Sequence, residues 1–118
     1  MPVVRMEIVD VDQMPKGSVQ RLVDELGEIL GSEDDHTWLR IVPISADHYA
    51  ENRVVDAARN LSASVCRSAA TRPSQTVEAE ASGVAAVGAA ILGRSRENIH
   101  TTFSEPLVVR IACGGMLI

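Results

Sequence analysis

Pro2 directly follows Met1, and removal of Met1 turns its ring nitrogen from an amide into a free secondary amine. An amine is a general base only when unprotonated, and apolar burial or nearby positive charge lowers its pKa toward neutrality. Arg40 stands near the start of a second apolar segment, Trp38 to Val42. If the two segments are neighbouring parallel strands, their starts lie about 5 Å apart, which places Arg40 beside Pro2. Its guanidinium then both depresses the amine and holds a carboxylate through two hydrogen bonds. The pair points to proton abstraction beside a carbonyl in a small anionic substrate, with Pro2 and Arg40 catalytic. The same two residues also fit an ordinary second-position proline and an exposed strand arginine.

Other chemistry-bearing residues carry weaker signals. Three scattered histidines and two cysteines, Cys66 and Cys113, form neither a metal-ligand spacing nor a disulfide framework, so no metal and no cofactor is expected. His100 reads as a satisfied strand residue and Cys113 as a small buried hydrophobe. Glu105 precedes Pro106, where a turn carboxylate is the simpler reading than a water-activating base. Gly83 and Gly88 lack the Gly-Lys-Ser/Thr ending of a phosphate loop and read as close-packing positions. Gly114-Gly115 permits a tight hairpin or a close backbone contact.

The elements that must position these residues follow from the apolar pattern. Val3 to Val9 is rich in β-branched residues and reads as a strand. Val19, Leu22, Val23, Leu26, Ile29 and Leu30 recur at helical spacing and stop at Gly31. Trp38 to Val42 is the second strand, and Pro43 keeps its far end out of mid-ladder. The order then repeats: a strand over Ser64 to Ala70, a helix from Pro73-Ser74 ending at Gly93, a strand over Ile99 to Phe103, and a short last strand over Val108 to Ala112. The second helix carries its apolar face on Val77, Ala81, Val84, Ala85, Ile91 and Leu92. Pro2 to Arg5 overlays Ser64 to Arg67, and Leu39-Arg40 overlays Ile99-His100, a period of roughly 60 residues. The expected architecture is therefore α+β: one domain over 1–118, with internal repeats of about 1–60 and 61–118. The tandem β-α-β repeat forms a four-stranded sheet with two helices on one face. The other face carries several apolar residues and no third helix, which calls for a symmetric oligomer.

Composition narrows the function classes. The 118 residues carry 11 basic and 16 acidic side chains, a net charge of −5, so neither a nucleic-acid backbone nor an anionic membrane is the expected partner. No apolar run is long enough to span a bilayer and no export signal precedes the first strand, which makes the expected location cytoplasmic. One Trp, one Tyr and one Phe leave the core to aliphatic residues, which bury less area each than rings do. Additional burial between subunits compensates.

The chain resembles the tautomerase superfamily, the group of 4-oxalocrotonate tautomerase and macrophage migration inhibitory factor. The resemblance rests on Met1-Pro2-Val3-Val4, Thr37 to Arg40, His48 to Asn52, Gly93 to His100 and Arg110 to Gly115. Its length is similar to that of the fused, two-repeat members. The resemblance implies a cofactor-independent tautomerase or isomerase acting on small anionic 2-oxo or enol acids, assembled as a homo-trimer. It makes Pro2 the general base, Arg40 the carboxylate or carbonyl-oxygen binder and Tyr49 the aromatic wall. Lys16 falls near the loop position of a second substrate-binding arginine, and Arg67 and Arg72 match second-repeat arginines that reach a neighbouring subunit's pocket. Ser64 and His100 stand where the second repeat would match Pro2 and Arg40. The alternative is a non-catalytic ligand-binding or oligomer-forming domain with a related β-α-β repeat, its proline amine blocked by a retained Met1.

Overall fold

A computed structural model describes residues 2–11, 14–54, 60–67, 74–104 and 112–117. Two β-α-β units follow each other. The first comprises β1 (Pro2–Val9), α1 (Ser18–Ile29) and β2 (Trp38–Ile44); the second comprises β3 (Leu61–Arg67), α2 (Ser74–Leu92) and β4 (Ile99–Phe103). The sheet order is β2-β1-β3-β4, with each unit internally parallel and the central β1 and β3 antiparallel. This is the α+β architecture expected, with α1 and α2 together on one face. Pro43 sits within β2 opposite Ile8, and is tolerated there because β2 is an edge strand.

Period-two alternation sorts the strands into two faces. Val4, Met6 and Ile8 of β1 and Leu61, Ala63 and Val65 of β3 are fully buried and pack against Leu26, Leu30 and Val84 of the helices. The stripe that buries α1 is Ser18, Leu22, Leu26 and Leu30, spaced four apart. Val19, expected on the apolar face, is instead 42% exposed, because it lies one residue off that stripe. In α2 the buried positions are Glu80, Val84, Val87 and Gly88. Gly88 earns its place sterically: a Cβ there would sit 3.0 Å from Ile99 Cδ1. Gly83 does the same at the helix pair, where a Cβ would meet Ile29 Cγ2 at 2.8 Å.

The opposite face differs from expectation. Besides Val3, Trp38 and Val42 it carries Arg5, Glu7, Arg40, Ser62, Ser64, His100 and Thr102, in register across the four strands. It is a mixed surface, because β1 and β2 interleave Val3, Trp38 and Val42 with Arg5, Glu7 and Arg40, while β3 and β4 add Ser62, Ser64, His100 and Thr102. The third strand also begins three residues earlier than the sequence suggests, at Leu61, since Leu61, Ala63 and Val65 supply its buried face. Ser64 is consequently mid-strand opposite Arg5, and the strand start that parallels Pro2 is Leu61.

A hairpin follows the second unit. β5 (Ala112–Cys113) pairs antiparallel with β6 (Met116–Leu117) around Gly114 and Gly115, whose φ values of 59° and 84° favour residues without a Cβ. The rest of the expected last strand, from 108 to 111, lies outside the described residues. Among the described residues, no helix is long and apolar enough to cross a membrane.

Candidate active site

Pro2 opens β1 and is fully buried, in phase with the helix-facing residues Val4 and Met6. Its ladder partner on the antiparallel side is Arg67, the last residue of β3. On the parallel side Val3 pairs with Trp38, so the start of β2 is level with the start of β1. One edge of the sheet thus gathers a buried proline, an arginine at the adjoining strand end, and the protein's one tryptophan. The indole N–H of Trp38 donates to the carbonyl of Asp35 at 3.3 Å, which anchors the loop entering β2.

Arg40 does not stand beside Pro2 within one chain. The register places it opposite Arg5, three residues along the ladder, which is about 10 Å at strand rise. It also lies on the helix-free face, because it is in phase with Trp38 and Val42 and out of phase with Leu39 and Ile41, which are partly buried against the core. Arg40 is the third residue of β2, and the parallel register carries it past Pro2 to Arg5. There Arg40 and Arg5, with Val3, Val42, Ser64 and Cys66, line a cavity of about 340 Å³. Arg5 is a residue the sequence reading missed. The signal was available in the alternation, which puts positions 3, 5 and 7 on a common face.

Lys16 and Tyr49 lie beyond the far ends of β1 and β2, roughly seven residues or 23 Å from Pro2 along the sheet. Lys16 is exposed in the turn before α1. Tyr49 is half-buried just after a one-turn 3₁₀ helix, Ala46–His48, which Ser45 caps by accepting from the Asp47 amide. Burial pushes the Tyr49 phenol above its ordinary pKa of 10.0, and the charge of Glu51 and a hydrogen bond donated to that carboxylate push it the same way. Arg72 and Glu105 lie outside the described residues. His100 is exposed on the helix-free face opposite Ser62.

The electrostatics of two other features bear on ligand choice. A groove of about 470 Å³ between α1 and the loop before β2 is lined by Asp24, Glu28, Glu33, Asp34 and Asp35, so it repels an anion. Glu80, by contrast, is buried at 4% exposure on the core side of α2, a position the helical pattern did not flag. No group of residues able to hold a metal ion occurs among the described residues.

No protein-family sequence model matches the chain, and no curated relative matches it significantly by sequence. Solved structures do match. Leishmania major MIF2 superposes with a TM-score of 0.74 at 14% identity, covering 100% of this chain and 97% of its own. The fold is that of the tautomerase superfamily. A fused 4-OT, described as a wild-type asymmetric trimer, matches at TM-score 0.72 and 12% identity, over 98% and 94% of the two chains. Malonate semialdehyde decarboxylase matches at TM-score 0.71 and 8% identity, over 95% and 90%. Each match spans both β-α-β units, so the likeness to tautomerase-fold proteins extends over nearly the whole chain.

Proposed function

We propose that the chain is a tautomerase-superfamily enzyme, a cofactor-independent tautomerase or isomerase in which Pro2, freed of Met1, takes a proton from carbon beside a 2-oxo or enol group of a small organic acid and returns it elsewhere. The observation that carries this reading is the full burial of Pro2 at the start of β1. Apolar surroundings disfavour the protonated amine, which is the condition for a base at neutral pH.

Arg40, Lys16 and Tyr49 are assigned to the pocket of a neighbouring copy, because their positions in one chain lie too far from Pro2. A head-to-tail ring brings the far end or helix-free face of one subunit to the Pro2 end of the next. The fused 4-OT trimer among the structural matches supports a closed homo-trimer. Arg40 then binds the carboxylate or the developing enolate oxygen, and Tyr49 walls the pocket.

The test is intact-mass measurement followed by assay on phenylpyruvate and on 2-hydroxymuconate-type dienols. Protein lacking Met1 is expected to turn over at least one of them, and Pro2→Ala to abolish turnover. Unchanged turnover in Pro2→Ala ends the proline mechanism. Inactivity of fully processed protein on both classes favours the non-catalytic ligand-binding alternative. A monomer in sedimentation at micromolar concentration overturns the ring.

A further inference from the structure

Arg94 is buried, at 8% exposure, just past the end of α2, where Gly93 at φ 65° follows the last helical residue. A guanidinium taken out of water must keep its N–H groups bonded. Its Nη2 donates to the main-chain carbonyl of Asp10 at 3.4 Å, across 84 residues of sequence, and so ties the second β-α-β unit to the end of β1. Asp10 is a junction. Its φ of 55° lies in the left-handed region, which a non-glycine residue keeps only where its surroundings hold it. Its amide donates to the Ile44 carbonyl of β2 at 2.9 Å, and the preceding amide, of Val9, donates to the Asn60 carbonyl ahead of β3 at 3.0 Å.

From this turn the chain runs through residues 10–17 into α1 and presents Lys16 exposed on the way. The far end of the loop is fixed by the helix, since the Ser18 amide donates to the Pro15 carbonyl at 3.0 Å and both Ser18 and Leu22 are buried. Val11 and Met14 pack against the core in between. The near end is fixed at Asp10, and Asp10 and Val11 share a cavity of about 310 Å³ with the segment 43–47 that leads to Tyr49. We infer that Arg94 is a positioning residue: through the Asp10 carbonyl it fixes the course of the 10–17 loop and hence the place of Lys16. Its bearing on catalysis rests on the proposed function, which assigns Lys16 to a neighbouring copy's pocket. A residue of the second unit thereby supports a substrate-binding residue of the first.

Lys16 is the one lysine of the sequence, so a lysine-specific endoprotease cuts the chain only there, and only when the loop opens far enough to enter the protease. Cleavage is timed in wild type, Arg94→Ala, Arg94→Lys and Gly83→Ala, the last a control that crowds Ile29 at the helix pair and leaves the loop alone. Arg94→Ala is expected to be cut about tenfold faster than wild type, the scale of one hydrogen bond from a charged donor. Arg94→Lys, which keeps a charged donor, is expected to fall between the two, and Gly83→Ala to stay near wild type. In processed protein that turns over phenylpyruvate, Arg94→Ala is expected to raise KM several-fold with kcat little changed. Mixing its subunits with Pro2→Ala subunits is expected to restore the low KM, because the latter offer an intact Lys16 loop to a working Pro2. Equal cleavage of wild type and folded Arg94→Ala overturns the inference, as does cleavage of Arg94→Ala no faster than that of Gly83→Ala. If Arg94→Ala does not fold, Arg94→Lys decides in its place by the same criteria. If processed wild type shows no turnover while cleavage still depends on Arg94, the catalytic reading falls and the support of the loop by Arg94 stands.

Discussion

Pro2 and Arg67 are partners across the antiparallel β1–β3 ladder, with their Cα atoms in direct register. Residues so placed are about 5 Å apart at the backbone. The backbone register thus sets the first residue of the chain's first strand level with the last residue of its third. If Pro2 is the base proposed above, a cation at position 67 would favour its neutral amine, and the acid limb of the pH–rate profile would report it. Arg67→Gln is expected to move that limb to higher pH, because loss of the charge lets the amine hold its proton longer. An unmoved limb would place the charge of Arg67 out of reach of Pro2.

Arg40 separates binding from chemistry in another way. Its substitution by alanine is expected to weaken handling of carboxylate-bearing substrates by about 1 to 3 kcal/mol in kcat/KM. Neutral substrates are expected to change little. Losses of equal size for neutral and anionic substrates would contradict a carboxylate-binding role.

The helix pair offers a prediction independent of function. Gly83→Ala builds a methyl 2.8 Å from Ile29 Cγ2, and Ile29 is held between the two helices. Overpacking of this kind costs about 1 to 3 kcal/mol, against about 1 kcal/mol gained from the better helix propensity of alanine. A net loss of about 1 kcal/mol follows from those two magnitudes. In an Ile29→Ala background the sign is expected to reverse. Denaturant midpoints of the four proteins in this cycle check both statements.

Tyr49 is the one tyrosine of the sequence, which isolates its titration. Burial, then the charge and hydrogen bond of Glu51, favour the neutral phenol. Near-UV absorbance should therefore show tyrosinate forming above pH 10.0, later than in a free tyrosine. Glu51→Gln removes the charge contribution and leaves burial, so the midpoint should fall without returning fully to 10.0. An unchanged midpoint would mean that burial alone sets it.

Much of this fold was legible because its signals are local. Helix stops at Gly31 and Gly93 and the β-branched run from Val3 to Val9 locate elements without tertiary information. What the sequence left open was register. Nothing in Trp38 to Val42 says whether Arg40 meets Pro2 or Arg5, and that slip changes both its neighbour and its face. The start of β3 was misplaced for a related reason. Leu61, Ser62 and Ala63 are weak strand formers individually, and the buried face they complete exists only once β1 lies beside them. The same holds for Arg5, whose significance appears when Arg40 is set across from it. Roles that require a second subunit, those proposed for Lys16 and Tyr49, have no trace in the geometry of one chain beyond their distance from Pro2.

The placement of Trp38 gives the molecule a built-in optical sensor. Its indole is half-buried opposite Val3, level with the start of β1 and next to a residue that lines the cavity of Arg5 and Arg40. With one tryptophan in the sequence, emission arises from a single place. A ligand at the Pro2 edge or on the helix-free face, or a second subunit packed over either, would alter the polarity around that one ring. Candidate ligands can thus be sorted by spectral response in native, unlabelled protein, before any turnover has to be detected.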